Sequence, residues 1–79
     1  MEIKINSTEG LHALLASRIV QLASKYDADI RIEYEDTTID ARSILGLVSL
    51  AVPKGENIRV IATGTEAEVA LNELKKILS

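Results

Sequence analysis

Cysteine is absent from the 79-residue chain, and its absence removes several kinds of chemistry. Without thiols the protein has no disulfide framework, no thiolate nucleophile and no cysteine-based zinc site. A chain without disulfides suits a reducing compartment, so we expect a cytoplasmic protein.

Aromatic residues are almost as scarce, since Tyr26 and Tyr34 are the only two. With a formal net charge of −3, the chain also lacks the basic, aromatic-lined groove on which nucleic acids stack. No apolar run approaches the roughly 20 residues that span a bilayer. Met1 leads directly into an alternating strand pattern rather than a signal peptide. We therefore expect no nucleic-acid partner and no membrane insertion.

The composition fits one small globular domain over residues 1–79. Hydrophobic residues make up 47% of the chain and charged residues 27%, an ordinary balance for a folded, soluble protein. A domain of this length buries about 60 to 65% of the surface of its unfolded chain. We expect it to fold alone, as a monomer and without a cofactor.

Hydrophobic periodicity predicts four strands and three helices. The two-residue alternation of half-buried strands covers residues 1–6, 30–35, 38–41 and 58–63. Helical spacing covers 13–25, 43–50 and 65–78, with Ser43 as the N-cap of the short second helix. Thr65 and Glu68 have the spacing of a capping box that opens the last helix.

This element order, β-α-β-β-α-β-α, predicts an α+β fold. Four strands with one apolar face each need a cover, which the two long amphipathic helices supply. We expect an open-faced β-sandwich, in which a four-stranded, mostly antiparallel sheet is covered on one face by helices.

The chain's one histidine, His12, follows Gly10 and Leu11 where the first strand gives way to the first helix. The unpaired N–H groups at the start of that helix, those of Ala13 and Leu14, would face an anion beside the imidazole. Gly10 can adopt positive φ and turn the chain sharply. Taken alone, a histidine here is more often a surface or capping residue, because its near-neutral pKa permits chemistry without requiring it.

Other sites are weakly indicated. Glu33, Glu35 and Asp36 form an acidic cluster that could bind a metal ion, but a hairpin tip more often carries solvated charges. No serine or cysteine catalytic set and no glycine-rich nucleotide loop can be assembled. We therefore expect neither a metal site nor a self-contained enzyme.

Several short motifs, at similar separations, resemble HPr, the histidine-containing phosphocarrier family of the sugar phosphotransferase system. They are Gly10-Leu11-His12-Ala13, Ala16, Arg42-Ser43-Ile44-Leu45-Gly46-Leu47 with Ser49-Leu50, Lys54-Gly55 and Thr63-Gly64. The resemblance extends nearly end to end in length, element order and motif spacing. It implies a carrier that accepts a phosphoryl group from enzyme I on Nδ1 of His12 and passes it to the IIA components.

The resemblance also implies regulatory and docking residues. In Gram-positive members the serine that matches Ser43 is phosphorylated by a dedicated HPr kinase, which turns the protein into a partner of a transcription regulator. The apolar side chains that match the family's docking patch are Leu11, Leu45 and Leu47, and we expect Leu14 to belong to the docking surface as well.

The chain departs from the family at the active site. The family pattern His-x-Arg-Pro-Ala is replaced by His12-Ala13-Leu14-Leu15-Ala16. The missing arginine is expected to contact the phosphohistidine, through a charge-assisted hydrogen bond of about 1.5 to 3 kcal/mol. Arg18 follows Leu14 on the same helical face one turn later, so its side chain could reach back toward the phosphate. It could equally be a solvated surface residue.

Two alternatives to the phosphocarrier stay open. One is a non-catalytic regulatory module of the same fold that acts through Ser43 and its docking patch. The other is a small-ligand or subunit-interaction domain that shares only the layered architecture. The last alternative predicts a His12 loop that is buried against a second copy of the chain, with the imidazole hydrogen-bonded in a core, so the exposure of His12 Nδ1 separates it from the others.

Overall fold

The computed structural model describes residues 1–79 and contains the elements in the predicted order. They are β1 (Glu2–Lys4), α1 (Ala13–Ala23), β2 (Asp29–Tyr34), β3 (Thr37–Asp40), α2 (Ile44–Ser49), β4 (Asn57–Thr63) and α3 (Ala67–Leu78). The strands form one sheet in the order β1-β4-β2-β3, and each pair of neighbours is antiparallel. The predicted α+β open-faced sandwich is therefore confirmed.

The sheet has one apolar and one charged face, because side chains alternate along each strand. The inward face is built from cross-strand apolar pairs such as Ile3 opposite Ile58 and Ile32 opposite Val60. These four side chains are all buried. The outward face carries exposed ion pairs, among them Arg59 Nη1 to Glu33 Oε1 at 3.7 Å. Such exposed pairs contribute little to stability, so burial on the inward face holds the sheet to the helices.

Helices α1 and α3 cover the apolar face. Their buried residues follow helical spacing and are Leu15, Ala16, Ile19 and Ala23 on α1, and Ala70, Leu74 and Leu78 on α3. The core contains no buried polar or charged residue. None of the helices combines the length and apolarity that crossing a bilayer requires.

Two predicted elements end earlier than the periodicity suggested. Helix α1 stops at Ala23, so Lys25 lies in the following turn with its Nζ 5.8 Å from the centre of the Tyr26 ring. Strand β1 stops at Lys4, although Ile5 still donates a hydrogen bond to Glu56 O (2.9 Å) and accepts one from Gly55 N (2.8 Å). Ile5 therefore continues the alternation of buried and exposed side chains, but its backbone hydrogen bonds go to a turn instead of a strand.

The predicted capping box at the start of α3 is wrong. The helix begins at Ala67, and its N-cap, Glu66, makes no side-chain capping bond. Thr65 Oγ1 instead donates to Asp27 Oδ2 (2.9 Å), and Glu66 Oε1 accepts from Asp27 N (2.7 Å). The loop between α1 and β2 thus takes the Thr65 hydroxyl that the capping box would have used.

Gly10 fixes the path of the chain into α1. Its φ is +68°, and a Cβ at this position would collide with the carbonyl oxygen of Val52. The same carbonyl accepts a hydrogen bond from Leu11 N at 2.8 Å. The segment before His12 is therefore packed, backbone against backbone, on the segment that follows α2.

We predict that Gly10→Ala destabilises the protein by about 2 to 4 kcal/mol, since it adds both left-handed strain and overpacking. Gly55→Ala is the matched control, because Gly55 also has positive φ (+92°) but a Cβ there meets nothing within 4 Å. Strain alone should cost the control about 1 to 2 kcal/mol. Urea denaturation measures both values, and equal losses would contradict the close approach of Gly10 to Val52.

Candidate functional site

His12 is the N-cap of α1. Its backbone is extended (φ −94°, ψ 177°), its N–H donates to Gly10 O at 3.0 Å, and its carbonyl accepts from Ala16 N at 2.9 Å. The side chain is half-buried and makes no capping hydrogen bond. Within the chain the ring is therefore neither fully buried nor hydrogen-bonded, and its nitrogens are available to a ligand or a partner.

The first turn of α1 presents unpaired backbone amides next to this ring. The N–H groups of Ala13, Leu14 and Leu15 precede the first intrahelical donor, and none donates to another backbone group. Ala13 and Leu14 are exposed. Together with the positive end of the helix dipole, these amides favour an anion beside His12.

An open cleft of about 310 Å³ lies beside His12. It is lined by Asn6, Ser7, His12, Leu14, Leu15, Arg18, Ile77, Leu78 and Ser79. A backbone hydrogen bond from Asn6 N to Leu78 O (3.1 Å) joins two of the segments that form its wall. The fold therefore brings His12 and Arg18 to one cleft, and Arg18 is the only Lys, Arg, Asp or Glu among the lining residues.

Exposed apolar side chains lie on the two helices that meet near His12. Helices α1 and α2 pack against each other. The exposed fraction is 64% for Leu14, 85% for Leu45, 42% for Ile44 and 38% for Val48. We call these four residues the apolar patch.

The predicted docking roles of Leu11 and Leu47 are wrong, because both side chains belong to the core, with exposed fractions of 3% and 0%. The hydrogen bond from Leu11 N to Val52 O holds the Leu11 side chain toward the core. Leu47 is the one buried residue of α2. The sequence analysis also missed Ile44 and Val48. Their apolar character was visible, but a helix of six residues is too short for its pattern to show which side faces the core.

Ser43 caps α2 as predicted. Its Oγ accepts a hydrogen bond from Gly46 N at 3.0 Å, and its own N–H donates to Asp40 O at 3.0 Å. The Arg42 backbone N–H, aided by the Arg42 guanidinium, holds the pKa of the Asp40 carboxyl below its usual value. Phosphorylation of Ser43 by a kinase, and a regulator that responds to it, stay predictions.

The acidic hairpin between β2 and β3 forms no metal cluster, and no group of three or more potential metal ligands occurs in the chain. Glu33 is instead paired with Arg59 (3.7 Å) and accepts a hydrogen bond from Thr38 Oγ1 (3.4 Å). Nearby, partial burial and a hydrogen bond to Glu56 raise the pKa of Tyr34. Neither Glu33 nor Tyr34 lines the cleft beside His12.

The sequence matches a family of phosphocarrier proteins over its whole length. Residues 1–79 match the family model PTS-HPr, described as the PTS HPr component phosphorylation site. The phosphocarrier protein HPr of Haloferax volcanii is 42% identical over 73 residues, which are 90% of this chain and 82% of that protein.

Solved structures of HPr proteins have the same fold as this chain. HPr from Bacillus anthracis str. Ames has a TM-score of 0.94 and 35% identity, covering 100% of this chain and 94% of that one. HPr-C-His from Thermoanaerobacter tengcongensis has a TM-score of 0.92 and 35% identity, covering 99% and 88%. Sequence and fold match over the same whole domain, and the chain therefore belongs to the HPr family of the phosphotransferase system, whose members are phosphocarrier proteins rather than enzymes.

Proposed function

We propose that His12 carries the phosphoryl group, taking it from enzyme I and passing it to IIA components. The observation that carries this proposal is the half-buried imidazole, free of a capping bond, beside the unpaired amides of the first turn of α1. Family membership gives the reaction class, and the position of the ring supports His12 as the residue that performs it.

The transfer step needs little from this domain. Attack on phosphorus by the lone pair of Nδ1, the acceptor atom that the family resemblance implies, needs the neutral tautomer of His12 with its proton on Nε2. The bond between phosphorus and the phosphorylated group of enzyme I breaks, and its electron pair stays with that group. The phosphoryl oxygens keep their negative charge, which the amides of Ala13 and Leu14 stabilise. Transfer onward to a IIA component reverses these roles.

The openness of the site supports transfer between proteins. The cleft beside His12 is open to the surface and has a volume of about 310 Å³, with one cationic side chain and no carboxylate side chain lining it. A partner that covers it would exclude water and supply the remaining catalytic groups. Enzyme I and a IIA component would thus share one face of this domain.

The apolar patch is the proposed docking surface for both partners. Large exposed apolar groups near a polar site are typical of protein interfaces, and Leu45, the most exposed, is a candidate anchor. The bond from Leu11 N to Val52 O ties the end of α2 to the loop that bears His12. A partner seated on α2 would therefore meet the imidazole at a fixed position.

Incubation with enzyme I and radiolabelled phosphoenolpyruvate should label the wild-type protein at an acid-labile, base-stable site. His12→Ala should lose the label completely, because no other histidine is present. Ser43→Ala is the control and should keep it. An unlabelled wild-type protein with enzyme I from the same organism, or an acid-stable label, would contradict the proposal.

Leu45→Glu should reduce the second-order rate of phosphoryl transfer from enzyme I at least tenfold, which corresponds to the loss of about 1.4 kcal/mol or more at an interface anchor. Because Leu45 is 85% exposed, folding stability should stay within about 0.5 kcal/mol of wild type. Val69→Glu on α3, at a residue 42% exposed outside the patch, is the matched control. Equal transfer rates for the two variants would remove the patch from the docking surface.

A further inference from the structure

We propose that Arg18 contacts the phosphoryl group on His12 and replaces the arginine that the family has at the position of Leu14. This inference rests on the proposed role of His12 as the phosphorylated residue. It assigns the positive charge of the site to a residue one helical turn beyond the family's position.

The backbone directs Arg18 toward His12. Side chains on a helix lean toward its N-terminus, and residues four apart lie on the same face. The Arg18 side chain therefore extends over the turn that contains Leu14, toward the start of α1. Arg18 and His12 line the same cleft of about 310 Å³, which shows that the two side chains border a common space.

Arg18 is also the one arginine whose charge is not used within the protein. The other three, Arg31, Arg42 and Arg59, each lie within 4 Å of a carboxylate, at 3.3, 3.4 and 3.7 Å. Arg18 is exposed and takes part in none of the ion pairs. Its guanidinium can therefore bind an incoming anion without first breaking a salt bridge.

The charges around Arg18 favour a guanidinium that lies in the cleft beside His12 over one that lies in the neighbouring cleft. A second cleft of about 330 Å³ on its other side is lined by Gln21, Leu22, Lys25 and Ile77. The positive charge of Lys25 disfavours a guanidinium there, and no acidic side chain lines either cleft to attract it away. Among the side chains that line the two clefts, none therefore competes with a phosphoryl group on His12 for Arg18.

The chemistry fits this placement. A guanidinium presents a planar fork of N–H donors that matches two oxygens of a phosphoryl group. The apolar side chains of Leu14, Ile77 and Leu78 line the same cleft and offer the guanidinium no competing hydrogen-bond acceptor. A contact of this kind is typically associated with about tenfold or more in binding or transfer.

The test uses the isolated protein phosphorylated on His12 with phosphoramidate, so that it does not depend on enzyme I. Phosphorus NMR over a pH series reports the pKa of the phosphoryl group. In Arg18→Gln this pKa should rise, because a neighbouring cation favours the dianion. Arg18→Lys should restore part of the effect, and Leu14→Arg added to Arg18→Gln should restore most of it. Lys25→Gln, the same loss of charge outside the cleft, should match wild type.

Transfer to a IIA component supplies the second readout. Arg18→Gln should slow it about tenfold or more, and Lys25→Gln should leave it unchanged. A phosphorylated His12 whose titration and transfer rate are indifferent to Arg18→Gln would overturn the inference while leaving the carrier function intact. Equal effects from Arg18→Gln and Lys25→Gln would indicate a long-range charge effect and also overturn the contact. If neither phosphoramidate nor enzyme I labels His12, both the carrier role and the Arg18 contact are wrong.

Discussion

A backbone hydrogen bond from Leu11 N to Val52 O at 2.8 Å fixes how the two halves of the functional face meet, together with the packing of α1 on α2. It joins the loop before α1 to the segment after α2, and it forms only because Gly10 leaves room for the Val52 carbonyl. Around this bond the burial of Leu11 and Val52 extends the core up to the surface at His12. The position of the histidine thus depends on long-range packing, although the residue itself lies in a loop.

The site combines features that are individually ordinary. An N-cap histidine, a helix start with unpaired amides and an exposed arginine each occur on many surfaces and carry no function alone. Here the ring makes no capping bond, and the arginine lies in the same cleft without a carboxylate partner. The missing family arginine at Leu14 leaves a larger apolar surface beside the ring, where 64% of the leucine is exposed. The two helices that meet there then offer a partner both apolar area and a localised positive charge.

The sequence predicted the element order and the sheet correctly, because alternation and helical spacing persist over whole strands and long helices. It also predicted the N-cap at Ser43, which depends only on a residue three positions away. The prediction failed where contacts between residues far apart in the sequence determine the local structure. The Thr65 hydroxyl binds Asp27 of another loop, so the capping box expected from Thr65 and Glu68 does not form. The burial of Leu11 and Leu47 depends on how two short segments pack against the rest of the protein. The spacing of apolar residues along the chain does not contain this information.

The openness of the cleft at His12 bears on how tightly a phosphoryl group would be held there. Because solvent reaches this cleft and few charges surround it, each electrostatic contact there is weaker than it would be in a closed pocket. The surroundings of His12 would therefore stabilise a phosphoryl group only modestly. A protein that must pass on the group it has just received benefits from this, because strong stabilisation would make the onward transfer unfavourable.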